Sequence, residues 1–448
     1  MTEARPIPPA PAPRQGVPSQ LALFHALRNN PISAFTREDY EEPIVVRPTL
    51  LGDIALVSDP ATVRHVLVDN AANYQRDFFQ QRMLRPGLGE GVLTAEGDAW
   101  RRQRRLISGL FAPRAMARFA SGMVDGAEAL RGRWRGRPAG ASIDVSADKA
   151  GLTLDVLSRT VFEGETGPEL AEVPDAVTGY INTVGRLDPL DALQAPAWAP
   201  RWGVWRARRS IAVFNRVAEA IVARRGRRQE APASLVGVLA DDGSSHDEIL
   251  GNIRTFLFAG YESTSICLVW ALFLLSLDAV WRERVEAEAD RVVESTPPDQ
   301  LADALPDTRA VIEETLRLYP PVATISRQAL GDDVLCGRPI RKGAVVVISP
   351  WVSHRHARLW PDAGAFDPGR FLPPRREAID RFAYIPFGVG PRTCIGASFA
   401  LQEATVALAS IAREFRLDHD PARLPSPVLR MTLRPKDRLV MTLTPRAP

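Results

Sequence analysis

The sequence predicts a chain in which helices predominate and strands are few. The run His246–Leu277 contains no proline, and Ser245 with Glu248 forms a capping box in front of it. Residues 201–228 have a basic, amphipathic helical period, and residues 397–413 are apolar and helix-forming. Few runs have the β-branched composition of a buried strand, as Val345–Ile348 does. Hydrophobic residues make up 45% of the chain, which is enough for a large core.

Local patterns predict the remaining elements. Pro60 follows the turn signal Ser58-Asp59 and opens a helix, and Pro320 ends another. Further helices are predicted at residues 21–27, 60–68, 99–110, 151–162 and 308–318, a strand at 50–57, and a terminal hairpin at 429–443 around Pro435. Residues 70–94 mix apolar side chains with glycines and are predicted to be a loop region.

Charge, cysteine content and hydropathy narrow the class of protein. A net charge of +3 is too small to indicate a nucleic-acid partner. The 3 cysteines match no zinc or redox motif and favour a reducing, cytoplasmic compartment. Residues 1–20 are rich in proline without an apolar signal core, so they are predicted to form an N-terminal arm, with the folded domain at 21–448. The longest apolar run, residues 266–275, is too short to cross a bilayer, so no membrane anchor is expected.

The most informative stretch is residues 387–396, Phe-Gly-Val-Gly-Pro-Arg-Thr-Cys-Ile-Gly. Its cysteine, Cys394, precedes an apolar run, and a helix beginning at the cysteine favours a thiolate there. Gly396 leaves space for a flat group against the backbone. The guanidinium of Arg392 suits a carboxylate. These residue types fit a haem held by a cysteine thiolate, with an arginine on a propionate.

The pattern F-G-x-G-x-R-x-C-x-G resembles the haem-binding loop of the cytochrome P-450 superfamily, in its soluble bacterial form. The resemblance implies one mainly α domain with a smaller β-rich region, enclosing haem b with the Cys394 thiolate as axial ligand. In this loop it implies haem contacts from Phe387, Gly388, Arg392, Cys394, Ile395 and Gly396. For Cys394 taken alone, the alternative is a buried free cysteine.

Other residues resemble the family's contacts with the haem propionates. Trp100 and Arg104 are four apart on a predicted helix, so they share one face and both can donate to a carboxylate. Ordinary packing of a tryptophan beside an arginine is the alternative for this pair. Arg327 resembles the arginine that many members direct at a propionate. His354 resembles a propionate-binding histidine, but a satisfied buried histidine fits its context equally well.

The middle of the predicted central helix reads Ala259-Gly260-Tyr261-Glu262-Ser263-Thr264. It resembles the family's oxygen-binding motif AGx(D/E)TT, which implies catalytic roles for Glu262, Ser263 and Thr264. The small residues Ala259 and Gly260 let the helix pass close over the haem. The hydroxyl directly after the acid belongs to serine here, and Thr264 lies about 100° further round the helix. We therefore expect oxygen activation to persist and the coupling of electrons to product to be the step affected.

Glu314 and Arg317 form the ExxR motif on a predicted helix. Pairs with this spacing are common on surfaces and contribute little there. The resemblance implies instead that the pair is buried, is joined by Arg370, and serves folding and haem-pocket architecture without taking part in chemistry.

The resemblance implies a haem-thiolate monooxygenase that inserts one oxygen atom from O2 into a lipophilic small molecule. The expected pocket lining is apolar and comprises Phe78, Phe79, Leu84, Phe256, Val322, Ile325 and Leu429. No flavin- or nicotinamide-binding stretch is found in the sequence, so a ferredoxin or flavodoxin with its reductase is expected to supply electrons. The expected docking patch for that partner is the basic face with Arg101, Arg102 and Arg105.

Three alternatives stay open at this point. A member of the same family could catalyse desaturation, ring coupling or rearrangement, and the sequence does not separate these from hydroxylation. A haem-binding sensor without turnover is the second alternative. A haem-free helical structural protein is the third.

Overall fold

The computed structural model describes residues 5–49, 52–186, 188, 190, 195, 199, 201–227 and 234–446. Its helices are α1 (Gln20–Asn29), α2 (Pro60–Arg64), α3 (Phe78–Leu88), α4 (Gly97–Ser108), α5 (Pro113–Arg135), α6 (Val145–Thr160), α7 (Val173–Val184), α8 (Trp202–Arg206), α9 (Arg208–Arg225), α10 (Leu235–Asp241), α11 (His246–Leu277), α12 (Ala279–Val292), α13 (Pro298–Leu301), α14 (Pro306–Leu318), α15 (Pro350–Ser353) and α16 (Ala397–Glu414). Its strands are β1 (Ile44–Thr49), β2 (Gly52–Val57), β3 (Tyr74–Arg76), β4 (Ala141–Asp144), β5 (Ile325–Ala329), β6 (Asp333–Leu335), β7 (Arg338–Ile340), β8 (Val345–Ile348), β9 (Phe415–His419), β10 (Pro427–Leu429), β11 (Leu433–Pro435) and β12 (Val440–Pro445). The predicted fold class, mainly α with a smaller β-rich region, is confirmed.

Helix α11 runs through the core and has the predicted bounds. The Ser245 hydroxyl accepts the N–H of Glu248 at 3.3 Å, and the Glu248 carboxylate accepts the N–H of Ser245 at 3.0 Å, so the capping box starts the helix. The helix packs against α6, α14 and α16. Among the described residues it is the one helix long and apolar enough to span a bilayer, and 83% of that apolar window is buried inside the protein. Its apolar surface is thus accounted for by the core.

The largest sheet has the strand order β1-β2-β8-β5-β3. Its pairs are antiparallel except for β2 with β8. Strand β8 has the predicted bounds, and β2 confirms the part of the predicted 50–57 strand that the structure describes. Arg76 on β3 pairs directly with Arg327 on β5, so this register places two arginines side by side.

Two predicted elements are wrong. Residues 70–94 contain β3 and α3 where a loop was expected, because the Asp77 carboxylate caps α3 by accepting the N–H groups of Phe79 at 2.8 Å and Gln80 at 3.2 Å. The expected hairpin at 429–443 does not form. Strand β10 pairs with β11, whereas β12 pairs with β4 and β9, two strands that precede it by tens to hundreds of residues.

Residues 5–18, the described part of the predicted proline-rich arm, lie along the body of the protein. The carbonyl of Pro6 accepts the N–H of Phe366 at 2.9 Å. The carbonyl of Pro9 accepts the hydroxyl of Tyr319 at 2.7 Å. These contacts attach the segment beside the end of α14.

Candidate functional site

A cavity of about 700 Å³ lies between α11, the cysteine loop and strand β5. This volume is in the range of small-molecule and cofactor sites. The predicted haem-binding, catalytic and pocket residues that line it are Phe78, Phe79, Leu84, Trp100, Arg104, Phe256, Ala259, Gly260, Glu262, Ser263, Thr264, Val322, Ile325, Arg327, Phe387, Gly388, Arg392, Cys394, Ile395, Gly396 and Leu429. Residues predicted from separate parts of the sequence therefore meet around one space.

Cys394 faces this cavity from the loop before α16. Its N–H donates to the carbonyl of Phe387 at 2.8 Å, which closes the loop. Helix α16 begins at Ala397, the first residue of the predicted helix-forming run 397–413 and three residues after Cys394. Burial raises the pKa of the thiol, while the N–H of Gly396 and the charge of Arg104 act to lower it. A bound metal ion would displace the thiol proton.

Gly390 shows why the loop needs glycine. Its φ is +81°, and a Cβ at this position would lie 2.0 Å from the carbonyl oxygen of Leu67. A side chain would therefore clash with backbone as well as strain the left-handed conformation.

One end of the cavity carries a cluster of arginines that we call the rim arginines: Arg76, Arg104, Arg327 and Arg392. Burial, followed by the charges of Arg392 and Arg327, lowers the pKa of Arg76 to about 9. The charges of two carboxylates, Glu96 and Asp77, act to raise the pKa values of Arg76 and Arg327.

The charge at this rim provides a test of whether haem fits the site. Four arginines against two carboxylates leave an excess of two positive charges in a largely buried setting. Buried cations of this kind require anionic partners. Haem b carries two propionates, so the rim arginines and Cys394 together fit this group.

Arg392 and Trp100 are in contact, as the family resemblance implies for two haem-binding residues. The guanidinium carbon of Arg392 lies 4.2 Å from the centre of the Trp100 ring. The same guanidinium pairs with Glu96 and donates to the carbonyl of Ala95 at 3.1 Å. These contacts hold the fork at the cavity wall, where its donors can reach a carboxylate.

His354 does not line the cavity. It is fully buried, the N–H of Ile385 donates to its Nε2 at 2.9 Å, and its Nδ1 lies 3.2 Å from the carbonyl oxygen of Arg317. Burial, followed by the charge of Arg317, lowers the pKa of its ring to about 3. With both ring nitrogens engaged by backbone groups, its contacts support the interpretation as a satisfied structural histidine.

The central helix presents Ala259 and Ser263 to the cavity. The Ser263 hydroxyl donates to the carbonyl of Ala259 at 3.0 Å. Glu262 is nearly buried; its carboxylate pairs with Arg434 at 2.5 Å and accepts the hydroxyl of Thr432 at 3.2 Å. The charge of the Glu262 carboxylate is therefore balanced by Arg434, and the next residue, Ser263, carries the hydroxyl that faces the cavity.

Thr264 also reaches the cavity wall and lies beside Glu403 of α16. Burial raises the pKa of the Glu403 carboxyl well above its ordinary value, and the Thr264 hydroxyl acts against that rise. Glu403 is thus a second buried acid near the motif, and sequence reasoning did not identify it.

The ExxR pair is fully buried behind the cavity. Arg317 donates to the Glu314 carboxylate through Nε and Nη2, both at 2.7 Å. Glu314 also accepts the N–H of Asp367 at 2.8 Å, and the Nε of Arg370 lies 3.6 Å from it. None of the three predicted residues, Glu314, Arg317 and Arg370, lines the cavity, which suits an architectural role.

Some lining residues carried no recognisable signal in the sequence. Arg76 is one of the rim arginines, and Arg186 and Arg430 line the wall formed by the end of α7 and the β10–β11 turn. A basic residue at a strand end or in a turn is common on protein surfaces. Only the fold brings these three to the cavity.

The fold and the lining residues define a protein with a candidate cofactor site built around Cys394 and the rim arginines. The sequence profile of the family Cytochrome P450 matches residues 27–443. The chain is 32% identical to Cyclooctatin synthase of Streptomyces melanosporofaciens, over 88% of this chain and 85% of that protein. It is 30% identical to Pentalenene oxygenase of Streptomyces avermitilis, over 87% of each, and 29% identical to mouse Leukotriene-B4 omega-hydroxylase 3, over 82% of this chain and 76% of that protein.

The chain belongs to the cytochrome P450 family and is a cytochrome P450 monooxygenase. Family membership implies a cysteine-ligated haem, O2 as oxidant, a redox partner and a small-molecule substrate.

Proposed function

We propose that this protein hydroxylates a lipophilic small molecule, using electrons from a ferredoxin or flavodoxin with its reductase, in the cytoplasm. One atom of O2 enters a C–H bond as hydroxyl and the other leaves as water, balanced by two electrons and two protons. The observation that carries the proposal is the shared cavity, with Cys394 on one side, Ser263 and Ala259 on the helix, and apolar walls.

The residues of the chain divide this work between holding the haem and positioning the substrate. Cys394 would hold the haem iron, and the rim arginines would hold its propionates. The bound haem-thiolate group supplies oxygen activation. Phe78, Phe79 and Phe256 exclude water and hold an apolar substrate against this group.

Glu262 and Ser263 are the proposed proton-handling groups. Ser263 holds its proton towards the Ala259 carbonyl and can turn it to the cavity, because the hydroxyl is exposed there. For Glu262 to replace that proton, its carboxylate must leave Arg434 and first take up a proton from water. General acid–base catalysis by positioned groups of this kind contributes about 10²–10⁴-fold.

Helix α4 carries the proposed docking patch, and its arginines differ in their contacts with the rest of the protein. Arg102 is tied to α11, since it pairs with Glu248 and with Asp242 at 3.3 Å. Charge reversal there would damage the cap of the central helix as well as a docking surface. Arg105 is exposed and is the better test. We expect Arg105→Glu to slow reduction most at low salt, with Arg209→Glu on α9 as the control.

Two relatives support a lipophilic substrate by name, since one is a pentalenene oxygenase and another a leukotriene-B4 omega-hydroxylase. The wall residues Leu84, Phe256 and Leu429 agree with such a molecule.

An optical spectrum of the reduced protein with carbon monoxide tests the haem-thiolate assignment. We expect the thiolate–carbonyl Soret band in the wild type and in the matched control Cys336→Ala, and its loss in Cys394→Ala. Absence of the band in the wild type would contradict the assignment.

Product analysis with isotope-labelled O2 and a surrogate ferredoxin and reductase then tests the reaction. A product that carries one labelled oxygen supports hydroxylation. A desaturated, coupled or rearranged product would replace hydroxylation with another oxidation, and haem without oxygen consumption would indicate a sensor.

A further inference from the structure

The cavity has a second cationic end, separate from the rim arginines. Helix α7 ends at Val184, and a Cβ on the next residue, Gly185, would lie 3.0 Å from Met431 in the β10–β11 turn. This close approach brings Arg186, which follows the helix, towards Arg430, which opens the turn. Both arginines line the cavity, and the charge of Arg186 acts to lower the pKa of Arg430.

The positive charges at this end are only partly neutralised. Arg434 is paired with Glu262. Arg430 donates from Nη1 to the carbonyl oxygen of Arg28 at 3.0 Å, at the end of α1, so its contacts there are with backbone and not with a carboxylate. Burial lowers the pKa of Arg430, followed by the charges of Arg186 and Arg434, and no acidic group counters these effects.

The acidic residues that the structure describes near this end do not supply the missing charge. Asp53 lines the cavity from β2, but it is not among the charges that act on Arg430. Asp188 follows Arg186 closely, and its Oδ1 accepts the N–H of Leu190 at 2.9 Å. Within the described residues, Arg186 has no hydrogen-bond or ion-pair partner. Two guanidinium groups thus line the cavity, and no carboxylate of the described residues pairs with either of them.

This end is also distinct from the place where the haem carboxylates fit. The charges acting on Arg76 are those of Arg392, Arg327, Glu96 and Asp77. Those acting on Arg430 are the charges of Arg186 and Arg434. The rim arginines are carried by β3, α4, β5 and the cysteine loop, whereas Arg186 and Arg430 lie after α7 and in the β10–β11 turn, so we expect haem propionates at the rim to leave the second group without an anion.

Apolar side chains also line this cavity, among them Phe79, Leu84 and Leu429. A ligand that matches an apolar wall with one cationic end has a hydrocarbon body and one anionic head. Arg186 is exposed, so the head would keep part of its hydration while the body is buried.

We propose that Arg186 and Arg430 bind the carboxylate of a long-chain carboxylic acid whose hydrocarbon body extends through the cavity. This inference rests on the proposed oxidation and adds the class of its substrate. Guanidinium groups bind carboxylates through paired, charge-assisted hydrogen bonds, and two arginines at one mouth fix the orientation of the chain. Oxidation then occurs on carbons remote from the carboxylate.

Calorimetric titration of the holoenzyme with dodecanoic acid and with methyl dodecanoate tests the inference. We expect the acid to bind more tightly than the ester to the wild type. Arg186→Gln and Arg430→Gln should each weaken binding of the acid about 10- to 100-fold and leave binding of the ester unchanged. Arg209→Gln, an exposed arginine on α9, is the matched control and should change neither.

The variant Arg186→Gln keeps the experiment independent of folding, because this side chain is exposed and has no partner to lose within the described structure. Equal binding of acid and ester, or an acid affinity that survives both substitutions, would overturn the inference. Tighter binding of dodecyl phosphate than of dodecanoic acid would overturn the choice of a carboxylate head.

The carbon monoxide spectrum distinguishes this failure from failure of the proposed function. With the thiolate band present, loss of the acid preference removes only the substrate class. Without the band, the calorimetric comparison still reports on Arg186 and Arg430, since it measures binding and not turnover.

Discussion

Glu314→Gln removes one negative charge from the most deeply buried ion pair that the described structure shows. Glutamine has nearly the same shape, so the change opens no cavity and isolates the loss of charge. The carboxylate now accepts two bonds from Arg317 and one from the N–H of Asp367, and Arg370 lies beside it. Glutamine provides one acceptor oxygen, and its NH2 group would face a guanidinium donor.

The expected loss of stability follows from the contacts that Arg317 keeps in the Glu314→Gln variant. Its Nη1 still donates to the carbonyls of His354 at 2.8 Å and Ala363 at 2.7 Å, but no charge balances the guanidinium. Removing one partner of a buried ion pair costs about 3–5 kcal/mol. Against a total stability of about 5–15 kcal/mol for a folded protein, this is a large fraction.

The assay is urea unfolding of the holoenzyme, followed by tryptophan fluorescence and by the carbon monoxide spectrum. The matched control is Glu313→Gln, one residue away on α14. Burial raises the pKa of Glu313, and its partner Arg376 is 40% exposed, so its loss should cost no more than about 1 kcal/mol. Equal midpoints for the two variants would refute the reasoning from buried charge.

Three further predictions concern the core, the motif and the loop. Lys149 is fully buried over the ring of Trp134, its Nζ has no hydrogen-bond partner within the described structure, and burial lowers its pKa well below the ordinary value. The lowered pKa means that the unfolded chain holds this proton to higher pH than the native state does, so stability should rise with pH up to the unfolded pKa. Lys149→Met should add about 1–3 kcal/mol and flatten that slope in urea titrations at several pH values, and an unchanged slope would contradict this. Ser263→Ala should lower the amount of product formed per electron pair about tenfold or more, whereas Ser263→Thr should raise it because the threonine hydroxyl is more restrained. The measurement is product formed against NADH consumed. Equal coupling in the wild type and both variants would exclude Ser263 from proton handling. Gly390→Ala should abolish the thiolate band and cost about 1–3 kcal/mol, because its Cβ meets the Leu67 carbonyl, and normal haem content would contradict the role given to this glycine.

Local signals predicted the elements that depend on local chemistry. The capping box of Ser245 and the lack of proline define α11, and the bounds of β8 follow from four β-branched residues. Helix α5 was not predicted: Pro113 stands at its first position, but Ala112 at its N-cap makes no side-chain bond. Helix α3 was missed because the glycines mixed with its apolar residues suggested a loop, although Gly87 lies within its last turn.

The features that were not predicted depend on contacts between segments that are distant in the sequence. The terminal hairpin was wrong because β12 finds its partners in β4 and β9, and no turn signal reports such a choice. The haem loop and the central motif were recognisable because their residues lie close together in sequence. Arg76, Arg186 and Arg430 reach the cavity from a strand end, a helix end and a turn, so only the assembled fold shows that they face the same space.

The attachment of the amino-terminal segment sets an order of events during synthesis. The hydroxyl that binds the Pro9 carbonyl belongs to Tyr319, 310 residues further along the chain. At translation rates of about 5–20 residues per second, roughly 15 to 60 s pass between the emergence of the two groups. This segment therefore leaves the ribosome long before it can dock, and in that interval its backbone is exposed to chaperones and proteases.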